Sequence, residues 1–233
     1  MSVLSVTQDA MALLSLAKPV GLVANTDPTV TQILAVMQFS GDELAEISDW
    51  NNLKTEAQMT GDGVTSTFVI PADFDKWASD GAALFSSITP WTPINGPITD
   101  NDMVFLKTLQ VAPLRPSWRI VGGVIEFFPV LALNEVITGE YRSSYWVLAS
   151  DFITRKAKVT ADDDNVLVPE KLLVRAIIWR WKMIKGLEYA EDFRSYETMK
   201  NRMLVNQHGP RIVSMVRGDN SGTDGTIGLI TYR

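Results

Sequence analysis

The chain has 233 residues, enough for one large domain or two modest ones with a core that needs no disulfide staple. It contains no cysteine, which excludes a disulfide framework, a thiolate nucleophile and a cysteine-ligated metal, and fits a reducing compartment. A formal charge of −6 with a pI near 4.9 argues against the broad cationic surface that tight nucleic-acid binding requires.

The opening MSVLSVTQDAMALLSLAKP has no basic residue before Lys18 and so lacks the charged start of a secretory signal. No apolar run suffices to span a bilayer, and a soluble intracellular product is expected. Val6, Ala10, Leu13 and Ala17 fall at helical steps, predicting a helix over 3–17. Asp27 is a candidate N-cap with Pro28 in the first turn. Val30, Ile33, Leu34, Met37, Leu44 and Ile47 then carry a second helix to about Ser48, with Gly41 expected to kink or divide it.

After Trp50 the texture turns to Gly, Pro, Thr and Ser with short apolar alternations. Segments 56–60 and 66–70 read as two strands around the Gly61-Asp62-Gly63 turn. Pro90, Pro93 and Pro97 make 88–97 an extended loop, and Thr99 with Asp102 resembles a capping pair for a short helix to Leu109. Segments 118–121 and 124–128, joined by Gly122-Gly123, give the best hairpin signal. Further strand material is expected at 136–141, 144–148 and 153–160.

Helical pattern returns in 169–186, PEKLLVRAIIWRWKMIKG. Leu172, Leu173, Ala176, Ile177, Trp179, Trp181, Met183 and Ile184 cover more than half the circumference, so this helix is expected to be buried on several sides. Pro169 suits the first helical position and Gly186 the stop. What remains is a narrow basic stripe of Lys171, Arg175, Lys182 and Lys185, interrupted by Ile178, which requires acidic neighbours or solvent. A last helix over 189–207 takes its register from Phe193, Tyr196, Met199 or Lys200, and Met203.

The expected class is therefore α+β: a four-helix bundle formed by 1–50 and 161–208, with a β-rich domain inserted at 51–160. Beyond it, 209–233 is read as an extended arm in which Ile212, Val213, Val216, Ile227, Leu229 and Ile230 become strands when a partner supplies an edge.

Candidate chemistry is sparse. His208 is the single histidine, so no Ser-His-Asp site and no two-histidine metal site is possible, and its place at a helix end suits the dipole. Asp162-Asp163-Asp164 with Glu170 suggests a hard cation and a metal-dependent hydrolase, but consecutive carboxylates diverge, and negative charge ahead of a helix is the preferred reading. The 219–225 run DNSGTDG lacks calcium-loop spacing and reads as linker, and 61–66 lacks the lysine of a phosphate cradle. Asp73, Asp75, Glu188, Glu191 and Asp192 read as surface charge. Trp77, Trp91, Trp118 and Trp146 offer an alternative function, a carbohydrate-binding or adhesin-like module, against the simpler role of filling a core.

One run carries a family resemblance. ADDDNVLVPEKLLVRAIIWRWKMIKGLEYAEDFRSYE, 161–197, resembles tailed-bacteriophage head-to-tail connector (adaptor) proteins, the group that includes tail tubular protein A of short-tailed phages, with PE-x-LL, WRWK and KGL-x-YAED-x-x-x-YE in order. Trp50, the "LPADF"-like strand exit 68–74, the Trp118-Arg119-Ile120 strand and the "EYIS-x-YWV"-like 140–147 extend it across roughly 4–207, departing at Ile70 and Arg142.

The resemblance implies a structural virion protein with no catalytic site and no cofactor or metal, forming a homo-oligomeric ring of twelve copies under the portal. It implies portal and next-tail-component (nozzle or tube) partners, double-stranded DNA passing through the channel without sequence-specific binding, and no membrane. Such a protein is made in the host cytoplasm and resides at the tail connector. Lys171, Arg175, Trp179, Trp181, Lys182 and Lys185 would serve the inter-subunit or bundle interface. Arg211, Ile212, Val213, Val216, Arg217, Ile227, Leu229, Ile230, Tyr232 and Arg233 would form the portal or tail contact arm.

Overall fold

The computed structural model describes residues 2–78, 84–109, 113 and 116–208. The expected arm at 209–233 lies outside them. Within them the protein is α+β, with α-helices packed around one apolar cluster and short strands in three antiparallel sheets.

Helix α1, Val3–Leu13, starts on the Ser2 side chain and stops four residues short of the expected end. Ser15 takes φ 57°, and the Ser15 and Leu16 N–H groups return to the carbonyls of Ala12 and Met11, closing the helix before Lys18. Helix α2, Pro28–Ile47, is capped by Asp27 as expected, yet Gly41 does not divide it. A Cβ there would stand 2.3 Å from the Trp146 ring, so Gly41 exists to admit an indole against the helix backbone. Trp50 closes the element by donating from Nε1 to the Leu44 carbonyl at 2.6 Å.

Strand β1, Lys54–Thr60, and β2, Thr67–Val69, occupy the predicted segments but do not pair with each other. β1 pairs along its whole length with β7, Val136–Ser143, whereas β2 pairs with β6, Val124–Phe128. The intervening turn is spent on Asp62 and on Gly61, whose N–H donates to the Glu135 carbonyl at 2.7 Å, so the chain departs to a second sheet. β3, Phe74–Trp77, and β4, Leu84–Ser86, also join β7, which becomes the hub of its sheet. Helix α3, Asp100–Thr108, begins on Thr99, whose Oγ1 accepts from the Asp102 N–H. The hairpin of β5, Ser117–Val121, with β6 turns on Gly122 and Gly123, both at positive φ, as their pairing demands.

The third sheet orders β10, Asn165–Val166, then β8, Val147–Leu148, then β9, Arg155–Lys156. These two-residue strands are shorter than the predicted 144–148 and 153–160. Trp146 and Val147 pack in the helical cluster with Val166 and Val168, so the chain re-enters that core before residue 160. Helix α4, Glu170–Ile184, has Pro169 at the N-cap rather than the first helical position, and Gly186 at φ 68° ends it. It packs against α1, α2 and α5, Ala190–His208, which accounts for its wide apolar circumference.

A second apolar cluster, with Leu84, Trp118, Ile125, Phe127 and Ile137, fills the space between the first two sheets. The two clusters are locked together by Arg142 of β7. Its guanidinium is buried and bonds Asp75 of β3, Asp49 just beyond α2 at 2.9 Å, and the Glu46 carbonyl at 3.4 Å. Burial opposes the Asp49 charge, but Lys76 and Arg142 outweigh it and hold that carboxyl below its ordinary range. Arg155 adds bonds to the Leu53 and Lys54 carbonyls at 2.9 and 3.0 Å.

Candidate assembly surface

α4 carries two unlike faces. Lys171, Arg175 and Lys182 recur along one side and line a groove of about 800 Å³ between α1, α4 and α5, floored by Val6, Val174, Ile178 and Met199. The stripe finds its partners within the chain, on the following helix. Lys182 pairs with Asp192 at 2.5 Å, and Arg175 donates to Ser195. Lys185 lies over the Trp181 ring at 5.6 Å, and Lys171 is exposed at the groove rim. Three of the four cations thus face α5 or an indole, a use that the bare spacing left open.

Arg180 stands roughly half a turn from Lys171 at about 100° per residue, in the middle of the apolar side. It was not among the sequence candidates. The guanidinium is buried between the rings of Phe39, 4.6 Å away, and Trp179, 4.9 Å away, and pairs with Glu43 of α2. Burial lowers its pKa, although far from neutrality arginine keeps its charge. Its Nη1 has no hydrogen-bond partner among the described residues, nor do Trp179 Nε1, Trp181 Nε1, the Tyr196 hydroxyl or Ser40 Oγ. Burial also raises the Tyr196 phenol. The signal that would have found Arg180 is a cation between two tryptophans with an aromatic and a carboxylate, Phe39 and Glu43, at i and i+4 on a partner helix.

Next to Arg180 the C-terminal half of α4 and the facing side of α2 leave a second groove of about 350 Å³, lined by Gln32, Ala35, Val36, Phe39, Trp179, Met183 and Ile184 besides Arg180. Trp181 is buried in the helical core, and Trp179 anchors an aromatic group with Tyr189, Phe193 and Tyr196 at ring separations of 5.1 to 6.5 Å. Both indoles therefore hold helices together.

The other candidates resolve differently. Asp162 Oδ1 accepts from the Leu22 and Val23 N–H groups at 3.0 and 2.9 Å, while Asp164 is buried, pairs with Lys156 at 2.8 Å and accepts from Thr160 and Ala161. Burial opposes that charge, yet these donors keep the Asp164 carboxyl below its usual range. Asp162 and Asp164 thus tie loops together, and Glu170 is the acidic residue in the first turn of α4. Among the described residues no three His, Cys, Asp or Glu side chains are placed to hold a metal ion. The four tryptophans do not share a surface: Trp118 and Trp146 are each 0 % exposed in separate clusters, Trp77 packs edge-on against Trp118, and only Trp91, 77 % exposed, faces solvent. His208 ends α5, and the ten arm residues from Arg211 to Arg233 fall outside the described residues.

Neither a scan of protein-family models nor a search of curated proteins matches this chain. No helix among the described residues is long and apolar enough to cross a membrane. The site is thus defined by its surfaces alone: two grooves flanking α4, and exposed Phe39, Met183, Ile184 and Leu187 along one of its sides.

Proposed function

We propose that this chain is a structural virion subunit, a head-to-tail adaptor that assembles side by side into a ring, expected at twelve copies, between the portal and the tail. In this reading α1, α2, α4 and α5 form a four-helix bundle, 51–160 is the inserted β-rich domain, and 209–233 contacts the portal or the next tail component. Packaged DNA passes through the channel, and the protein resides in the connector of the virion.

The observation that carries the reading is the state of α4. Three helices already cover it, yet Met183, Ile184 and two grooves stay at the surface beside it, a surface that a partner would cover. The family resemblance over 161–197 and the acidic net charge, which lets DNA pass without adhering, support the same conclusion. Negative-stain microscopy of the full chain with and without the portal protein of the same phage tests it. A ring with a central channel, alone or stacked on the portal, is expected. A monodisperse monomer that leaves the portal bare overturns the reading. Alanine at both Arg175 and Lys182 is expected to impair assembly by loosening α5 from α4; unchanged rings would remove the stripe from the interface.

A further inference from the structure

The turn between β8 and β9 holds two large apolar side chains in water, Phe152 at 71 % and Ile153 at 83 % exposure. It is a fixed turn. Asp151 Oδ1 accepts from the N–H groups of Ile153 and Thr154, both at 2.9 Å, and its Oδ2 accepts from Thr154 Oγ1 at 2.6 Å. The Thr154 hydroxyl, with the two N–H groups, holds the Asp151 carboxyl down to about 2, so the turn carries a permanent negative charge.

The same device recurs at Asp62, which accepts from Val64, Thr65 and the Thr65 hydroxyl in the same pattern. There the second position, at φ 79°, is Gly63, as left-handed backbone prefers. In the β8–β9 turn the corresponding position, at φ 57°, is Phe152. An aromatic residue is strained in that conformation, and burial cannot offset the strain because the ring is outside. Strain kept where glycine would serve, on a rigid and exposed apolar tip, marks a contact to be made.

The groove between α2 and α4 is the complementary surface. Its walls are apolar except for Gln32 and Arg180, and the carboxylate that Arg180 pairs with, Glu43, is partly exposed. A tip of two apolar side chains with a fixed anion beside it matches an apolar groove with a fixed cation in its wall. We infer that the Phe152–Ile153 tip of one copy seats in the α2/α4 groove of a second copy, with Asp151 on the Arg180 side. The contact joins different patches on the two copies, so it is head-to-tail and propagates around a ring. The choice of a second copy rests on the ring-forming reading above. Two competing knobs, the exposed pair Val104 and Phe105 of α3 and Val64 on the Asp62 turn, lack a strained aromatic residue.

Because the chain is free of cysteine, single-cysteine variants test this directly. Ile153→Cys and Ala35→Cys, both at exposed positions, are mixed as full-length proteins under mild oxidation, with Val104→Cys as the control partner. A disulfide-linked heterodimer of Ile153→Cys with Ala35→Cys is expected, in clear excess over either self-pair and over Val104→Cys with Ala35→Cys. Phe152→Gly relieves the turn and removes the anchor. Its thermal stability is expected not to fall, while self-association weakens about ten-fold or more. Predominance of the Val104→Cys product, or wild-type association of Phe152→Gly, overturns the contact. Rings seen by microscopy without the expected heterodimer overturn the contact and leave the ring reading standing. A monomer at every concentration, with and without portal and with no heterodimer, removes both.

Discussion

The helical side and the sheet side of this protein solve the problem of burial in opposite ways. The helical side gathers α1, α2 and α5 around α4 and closes incompletely, leaving Phe39, Met183 and Ile184 beside a groove. The sheet side uses strands of three to eight residues in two sheets and holds ion pairs of its own, Arg119 with Glu126 at 2.7 Å and Lys107 with Glu126, besides the Arg142 and Lys76 ties to Asp49. Among the described residues both regions leave buried indole N–H groups without partners, at Trp77 and Trp118 as at Trp179 and Trp181; what sets the helical side apart is the pair of grooves along α4. The twin aspartate turns draw the same contrast at the scale of one residue, glycine at 63 and phenylalanine at 152.

The sharpest way to break the comparison is to empty each core in turn. Trp118→Ala and Trp146→Ala each delete a fully buried indole and are expected to cost about 3–5 kcal/mol in chemical denaturation. Trp146 is expected at the upper end because Asp42 loses the 2.7 Å bond from its Nε1. Since Arg142 and Arg155 tie the clusters together, circular dichroism should show one shifted transition in both variants. Two separate transitions would make the halves independent.

Next in size is the tie itself. Arg142→Met is expected to cost about 2–4 kcal/mol, less than a fully buried pair because Asp49 and Asp75 keep 28 % and 34 % side-chain exposure. The same variant should split the unfolding transition, and an unsplit transition at wild-type stability would show that the tie is dispensable.

Glycine replacements compare the packing on the two sides. Gly41→Ala drives a Cβ into a rigid indole, whereas Gly139→Ala meets Leu84 Cδ2 at 2.3 Å and Trp77 at 2.9 Å. At Gly139 the closer atom is the end of a leucine, which gives more readily than a ring, and the Trp77 edge at 2.9 Å needs a smaller shift. Expected losses are about 2–3 kcal/mol at Gly41, before a helix-propensity gain of up to about 1, and about 1 kcal/mol at Gly139. Equal losses would mean that the β cluster is as unyielding as the helical one.

The smallest effect is acid loosening of the two aspartate turns. Asp62 and Asp151 fall from 3.8 to about 2 on folding. A depressed carboxyl stabilises the fold above its unfolded value and loses that contribution as protons bind, so both turns should weaken together between about pH 4 and pH 2. Carboxyl carbon shifts followed by NMR check this, and an ordinary midpoint at either residue would show that turn to be open in solution.

The sequence legibly determined the elements whose cause is local. The caps at Asp27 and Thr99, the Gly122-Gly123 hairpin and the stop at Gly186 each depend on neighbours a few residues away. The periodicity of 169–186 also announced a helix covered on several sides. Tertiary structure alone decided partner choice. β1 and β2 look like a hairpin because they flank a glycine turn, yet β1 finds seven partners on β7, almost eighty residues away, and a single turn cannot outweigh that ladder. Gly41 looked like a weakness until Trp146 arrived from over a hundred residues downstream. Arg142 departs from the adaptor-like pattern, and Arg180 was passed over within an apolar face. Both proved to be the charges around which the two regions are joined and the α2/α4 groove is walled, because a buried cation takes its meaning from carboxylates and rings that only folding brings to it.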